Sequence, residues 1–377
     1  MKVLYVFRSL AMWGGIERIL VEKMNYLSKV YGYDVYMLTS DQGNHPIPYH
    51  LEDSVHLEDL NIRFHQQYQY SFLRRIWVAR RLKRLYENRI AERINQIKPD
   101  IIICTTADHI DSLGKLKRSI PLVVESHSIC LRTIEDGHSW LKRKLYRYHY
   151  LKALSKVDVL VALTEGDAVE WRKVHPHVVV IPNLVHLNDG AVSTLENKRV
   201  IWVGRFDYQK RPMEMIRIWE KIYPLHSDWQ LDIYGEGEQR QELEDKARSL
   251  GMNIVIHQPT EDIFACYRES SILVSTSLFE PFGLVIPEAM SCGLPVVAYD
   301  CPYGPAGIIK DGVDGYLIKN RNVEEFADRV CQLIENEQVR IEMGKAGIVS
   351  SQRYGEDRII PLWLKKFEKL FKNRINV

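Results

Sequence analysis

At 377 residues the chain is longer than one hydrophobic core usually supports, so two domains are expected. A composition of 46% hydrophobic, 10% aromatic and 27% charged residues excludes a disordered, collagen-like or disulfide-scaffold protein. The formal net charge of +2 hides an asymmetry: residues 1–188 hold 27 Lys+Arg against 20 Asp+Glu (+7), and residues 189–377 hold 24 against 29 (−5). The basic half is expected to face something anionic.

The chain opens on an apolar run at 3–7 (VLYVF), which Arg8 interrupts too early for a signal peptide; a buried first strand fits better. No apolar run approaches the roughly 18 residues that cross a bilayer. Ile16, Ile19, Leu20, Met24 and Leu27 then recur at helical spacing, as do Ile76, Ala79, Leu82 and Leu85. Further β-branched runs at 34–39, 101–104, 122–125, 157–162 and 178–181 read as strands. A polar stretch at 188–198 reads as a linker, after which strands are expected at 200–203, 230–234, 253–257, 272–276 and 295–298. Strands alternating with helices predict parallel sheets covered on both faces. Two such units, 1–187 and 188–358, predict a two-lobed α/β protein with a cleft. The six cysteines (Cys104, Cys130, Cys266, Cys292, Cys301, Cys331) form no CxxC pair, so reduced thiols in a cytoplasmic protein are expected.

In open α/β sheets ligands bind beyond the carboxyl ends of the strands, which makes the residues just after each strand the informative ones. Gly14 and Gly15 precede the first helix, where backbone approaches a ligand closely and a helix start attracts anions. A plain strand-to-helix turn is the alternative, and no GxGxxG fingerprint is present. After the run at 200–203 come Gly204, Arg205 and Lys210, with Pro212 suited to a first helical turn. Two cations at a strand's carboxyl end suit a diphosphate; a solvated basic loop is the alternative. The segment 275–298 (STSLFEPFGLVIPEAMSCGLPVVA) is the most specific. It leads from a buried strand to Glu280, through Phe282, Gly283 and Leu284, to Pro287 and Glu288 opening a short helix. Complementing the helix dipole would account for Glu288 alone.

Glu280-x7-Glu288 followed by AMSCGLPVVA, with Gly204-Arg205 and Lys210 upstream, resembles glycosyltransferase family 4. Ile181-Pro182-Asn183, Tyr234-Gly235-Glu236-Gly237 and Asp311-Gly312-Val313-Asp314-Gly315-Tyr316 match it too. The resemblance implies the GT-B fold: two Rossmann-like doubly wound domains facing across a cleft, with a C-terminal helix at about 359–377 crossing back to the first. It implies that Arg205 and Lys210 bind the donor diphosphate, with Gly15 approaching from the first domain. Glu288 would take the ribose hydroxyls, and Glu280 the transferred sugar, with the backbone of Phe282, Gly283 and Leu284 alongside. His127 matches the family histidine near the donor sugar; a structural histidine is the alternative. One departure is Gly307, where the family often has Glu.

The reaction implied is retaining transfer of a hexose or N-acetylhexosamine from a nucleoside diphosphate sugar, a UDP-sugar by expectation. The acceptor would be a glycan or lipid-linked saccharide in cell-surface polysaccharide synthesis. No D-x-D occupies a convincing metal-binding context, so metal independence and no cofactor are expected. Residues 63–98 carry ten Lys/Arg against Glu87 and Glu92, with Phe64, Tyr68, Tyr70, Phe72 and Trp77 interleaved. An anionic membrane surface on the cytoplasmic side suits this segment, and nucleic acid is not expected, although a basic nucleic-acid-binding protein is one competing reading. A sugar-nucleotide-binding protein without catalysis is the other.

Overall fold

The computed structural model describes residues 1–135 and 139–375. The chain divides into two compact units, 1–184 with the chain from Ile360 onward, and Val185–Ile359. The division expected after 187 lies a few residues beyond this one.

The first unit is built on one parallel sheet. Its strands are β1 (Lys2–Phe7), β2 (Asp34–Thr39), β3 (Val55–Asp59), β4 (Ile101–Thr105), β5 (Leu122–Glu125), β6 (Val159–Ala162) and β7 (Val178–Val180), in the order β3-β2-β1-β4-β5-β6-β7. Register is set on either side of β1, with Val3 opposite Val35 and Ile101. The second unit repeats the plan with β8 (Arg199–Val203), β9 (Gln230–Tyr234), β10 (Ile254–His257), β11 (Ile272–Ser275), β12 (Val296–Tyr299) and β13 (Gly315–Ile318), ordered β10-β9-β8-β11-β12-β13. Both sheets are wound outward from a central strand, as in Rossmann-like folds.

The near-continuous apolar strands follow from burial on both faces. β4 and β5 have no exposed residue. Two strands escape sequence reading. β3 is an edge strand of sequence VHLED whose only fully buried residue is Val55, so its main chain pairs with β2 while its side chains carry little apolar signal. β13 is four residues long and begins at a glycine.

Helices follow the apolar stripe. In Pro212–Ile222, Met215, Ile216, Ile218, Trp219 and Ile222 are buried and proline occupies the first turn. The helix Gly15–Asn25 stops short of Leu27 and continues as a wider turn, Tyr26–Val30. The C-terminal helix runs over Glu356–Ile375; of the expected 359–377, residues 376 and 377 lie outside the described residues. Trp363 and Phe367 bury against the first unit, Phe367 beside Tyr33 at 6.5 Å. Two large apolar side chains removed from water contribute about 2–3 kcal/mol each, and this attaches the chain end to the unit where it began. The basic segment 63–98 is not one helix: a 3-10 turn, Phe64–Gln69, precedes the helix Phe72–Ile97. All six cysteines are free thiols, with Cys266 and Cys331 partly exposed and the rest buried.

Candidate active site

In the second unit β8 is bonded to β9 on one side and β11 on the other, so the connections leaving β8 and β11 diverge and open a crevice beyond their carboxyl ends. The two loops at that crevice are 204–211 and 276–284. They are tied together: Leu278 N donates to the Gln209 carbonyl at 2.8 Å, and Gln209 Nε2 to the Phe279 carbonyl at 3.2 Å.

Across this junction Lys210 Nζ forms an ion pair with Glu280 Oε1. Ser277 Oγ donates to the same oxygen at 2.6 Å. The side chains are 17% and 5% exposed, so the pair is largely withdrawn from water and its attraction is stronger than at a surface. Gly204 makes room for it, because a Cβ there would approach Lys210 Cγ to 3.3 Å. The two residues that the resemblance assigns to diphosphate and sugar are therefore each other's partners.

Arg205 stands apart from the pair. Its side chain is 67% exposed, 3.1 Å from Asp207 Oδ2 and 3.2 Å from Gln209 Oε1. Such exposed contacts contribute little, about 0–1 kcal/mol, and leave the guanidinium free to be redirected.

Phe282 is buried edge-on against Tyr354, with ring centroids 5.1 Å apart. Gly283 has φ +97°, a conformation other residues rarely adopt, and it turns the chain into the helix Val285–Ser291. Leu284 is the N-cap of that helix, so Pro287 and Glu288 occupy its third and fourth positions rather than opening it. Glu288 is buried and accepts from Tyr267 Oη at 3.3 Å.

A contact invisible in the sequence fixes Glu280 from the other side. Its N–H donates to the Pro302 carbonyl at 2.7 Å, and its carbonyl accepts from Tyr303 and Gly304 N–H, each at 2.8 Å. Only glycine fits at 304, where a Cβ would lie 1.9 Å from the Phe282 carbonyl oxygen. Gly307 presents its carbonyl to Tyr354 Oη at 3.0 Å.

The first unit holds the other two expected residues. Gly15 begins the helix Gly15–Asn25, and Gly14 is its N-cap without a side-chain bond. Neither has a positive φ. The room at Gly14 is taken by Glu17, whose Oε2 would lie 2.1 Å from a Cβ there, an acid placed where the helix dipole favours it. His127 follows β5 with its side chain buried, Nε2 3.4 Å from Glu125 Oε2 but outside hydrogen-bond geometry. Glu125 pairs in turn with Lys23, and both side chains are essentially inaccessible. Burial pushes the Glu125 carboxyl up, and Lys23 and His127 more than offset it, holding it below the usual range. Lys23 also lies 4.1 Å from the Trp363 ring centroid. The loop around His127 is braced by Ser126 Oγ donating to the Ser128 carbonyl at 2.6 Å and by Asp167, which accepts from Cys130 N–H at 2.8 Å and Trp171 Nε1 at 2.9 Å. Sequence reading missed Lys23 and Glu125. The available signal was a lysine on the apolar stripe of the first helix.

The two units and their motifs define a GT-B glycosyltransferase. Residues 13–189 match Glycosyltransferase Family 4 and residues 190–349 match Glycosyl transferases group 1, and the chain belongs to the glycosyltransferase family 4 type. Among its relatives is the amylovoran biosynthesis glycosyltransferase AmsD of Erwinia amylovora, 29% identical over 96% of this chain and 98% of that protein. Another is the GalNAc-alpha-(1->4)-GalNAc-alpha-(1->3)-diNAcBac-PP-undecaprenol alpha-1,4-N-acetyl-D-galactosaminyltransferase of Campylobacter jejuni, 24% identical over 97% and 98%. The fold is shared with a mutant of S. aureus TarM in complex with fondaparinux, alpha-GlcNAc-glycerol and UDP, at a TM-score of 0.78, 16% identity and coverage of 97% and 99%. The protein is thus a glycosyltransferase, similar along its length to bacterial enzymes of polysaccharide assembly.

Proposed function

We propose that this enzyme transfers a hexose or N-acetylhexosamine from a UDP-sugar, with retention of anomeric configuration, to a glycan or lipid-linked acceptor of a surface polysaccharide. The observation that carries the reading is the Lys210–Glu280 pair at the switch point of the second sheet. A diphosphate entering there competes for the Lys210 ammonium and draws in the exposed Arg205. Glu280, released from Lys210, is then an open acceptor for hydroxyls of the transferred sugar. Glu288 takes the ribose, with the main chain of Phe282, Gly283 and Leu284 beside the donor. As the anomeric C–O bond breaks, its electron pair goes to the diphosphate, and the two cations stabilise that charge. The acceptor hydroxyl attacks on the face the diphosphate leaves and passes its proton to a phosphate oxygen. Because Arg205 and Lys210 neutralise the leaving group, we read the reaction as independent of a metal and of any cofactor. On the family resemblance we also assign Gly15, at a helix start, and His127 to donor binding.

For the acceptor side we propose a cytoplasmic protein docked on anionic lipid. Phe72, Leu73 and Trp77 are more than half exposed at the start of the helix Phe72–Ile97, beside exposed Arg74, Arg75, Arg80, Arg81 and Arg84. Arg63, Lys83, Arg89 and Arg93 are already engaged with Asp59, Asp111, the Leu60 carbonyl and Glu58, so six of the ten basic residues of 63–98 are left for an external partner. A mixed aromatic and basic face suits a lipid headgroup layer better than a nucleic acid, which we do not propose as a partner. Among the described residues no helix is long and apolar enough to cross a membrane. The test is turnover of a panel of UDP-, GDP- and ADP-sugars with lipid-linked and free saccharide acceptors, reading product configuration by NMR with and without chelator. A UDP-sugar transferred with retention supports the proposal. Inversion, use of other nucleotides only, or loss of activity with chelator rejects it.

A further inference from the structure

The turn after β13 carries a residue that no motif and no site assignment has absorbed. Arg321, at φ +53°, follows Asn320 at φ +52°. Two consecutive non-glycine residues in the left-handed region are sterically costly and persist only where their surroundings over-determine them. The contacts of Arg321 are specific. Nη2 lies 2.5 Å from Glu214 Oε2, Nη1 donates to the Ser277 carbonyl at 3.1 Å, and Nη2 to the Thr276 carbonyl at 3.3 Å. The guanidinium also lies 4.4 Å from the Tyr299 ring centroid.

Each of these partners leads to the donor site. Thr276 and Ser277 are the residues between β11 and the approach to Glu280. Ser277 Oγ donates to the Glu280 carboxylate, and Thr276 Oγ1 donates to the carbonyls of Lys210 at 3.1 Å and Arg211 at 3.0 Å. Glu214, on the helix Pro212–Ile222, is ion-paired with Arg211, whose Nε lies 2.6 Å from its Oε2. One planar cation therefore joins the loop of Lys210, the loop of Glu280 and the helix between them. A guanidinium suits this because its donors are fixed in one plane, whereas an ammonium is a point charge that cannot keep the same fork.

We propose that Arg321 is a positioning residue for the donor: it holds the main chain at Thr276 and Ser277 and, through Glu214 and Arg211, the main chain at Lys210. The two loops then keep one geometry as a nucleotide enters and separates the Lys210–Glu280 pair. This rests on the donor reading of Lys210 and Glu280.

The decisive variant is Arg321→Gly, because glycine accepts φ +53° without strain and so separates positioning from folding. Arg321→Lys keeps the charge and loses the fork. Both are compared with the parent by thermal melting, UDP titration calorimetry and amide hydrogen exchange of residues 276–284 in the unliganded full-length protein. Arg321→Gly is expected to melt within a few degrees of the parent, to exchange the Leu278 and Glu280 amides at least tenfold faster, and to bind UDP about tenfold more weakly, the equivalent of about 1.4 kcal/mol. Arg321→Lys should fall between. A lower melting point with parental UDP affinity would make Arg321 merely structural and overturn the proposal, as would parental exchange. Lys210→Ala is titrated in parallel: if it binds UDP like the parent, the donor reading has failed, and the exchange rates then decide the role of Arg321 alone.

Discussion

Substitution of Lys210 by alanine has two consequences that the structure keeps apart. Lys210 is the ionic partner of Glu280, a carboxylate only 5% exposed that also accepts from Ser277 Oγ. Removing one member of a buried pair costs about 3–5 kcal/mol because the remaining charge is left without compensation. Lys210 itself is 17% exposed, so water reaches the pair and a smaller cost, about 2–3 kcal/mol, is expected. For a unit of this size each kcal/mol lowers the melting point by roughly 2–4 °C, so Lys210→Ala should melt about 5–10 °C below the parent. The double variant Lys210→Ala with Glu280→Gln leaves no unpaired charge and keeps an acceptor for Ser277, and most of the stability should return. Donor binding should not return. Loss of a charge-assisted phosphate contact of about 1.5–3 kcal/mol weakens UDP by roughly 10- to 150-fold. Calorimetric melting and UDP titration of the parent, single and double variants measure both effects. A single variant that melts with the parent denies that Glu280 depends on Lys210. A double variant that regains UDP affinity denies that Lys210 meets the diphosphate.

Glu288→Gln should weaken UDP and UDP-sugar alike, whereas Glu280→Gln should weaken only the sugar-bearing donor; titration of both ligands against both variants checks this, and equal losses would remove the separate assignments. Gly304→Ala places a Cβ 1.9 Å from the Phe282 carbonyl, and the main chain has to move, so a loss of about 1–3 kcal/mol is expected on melting. Burial pushes the Asp108 carboxyl up to about 7, with the Thr105 N–H and hydroxyl only partly offsetting it. The folded protein therefore holds a proton that the unfolded chain releases near pH 4, and the stability from neutral Asp108 is complete below that and is lost as pH rises towards 7. Asp108→Asn should match the parent at pH 4 and gain on it by about 2–4 kcal/mol by pH 7; a difference in melting point that does not change across this range refutes the assignment. Replacing Arg74, Arg75 and Arg81 by Glu should abolish salt-sensitive sedimentation with anionic vesicles, a loss of about 3 kcal/mol or more; unchanged sedimentation would deny that this face meets lipid.

Much of this protein is determined locally and is therefore legible from the residues alone. The central strands are buried on both faces, so their apolar runs are nearly continuous, and β2, β5 and β9 appear at the boundaries read from the sequence. The doubly wound plan follows from strands alternating with helices, and the family from linked motifs in order. The edge strand β3 lay beyond reach because its stability comes from main-chain pairing with β2, which leaves no side-chain pattern. For the site, the residues proposed to meet the donor could be singled out from the sequence because glycine, proline and charged residues cluster after strands for steric and electrostatic reasons. Their mutual arrangement was not. Lys210 and Glu280 are 70 residues apart, and their pairing depends on β8 and β11 lying side by side, a choice of strand order that no local pattern encodes. The same holds for Glu125 against Lys23 and for Arg321 against Glu214. Each is a charge that depends on a partner distant in sequence, and such partnerships exist only after the chain has folded, because burial is what makes an unpaired charge expensive.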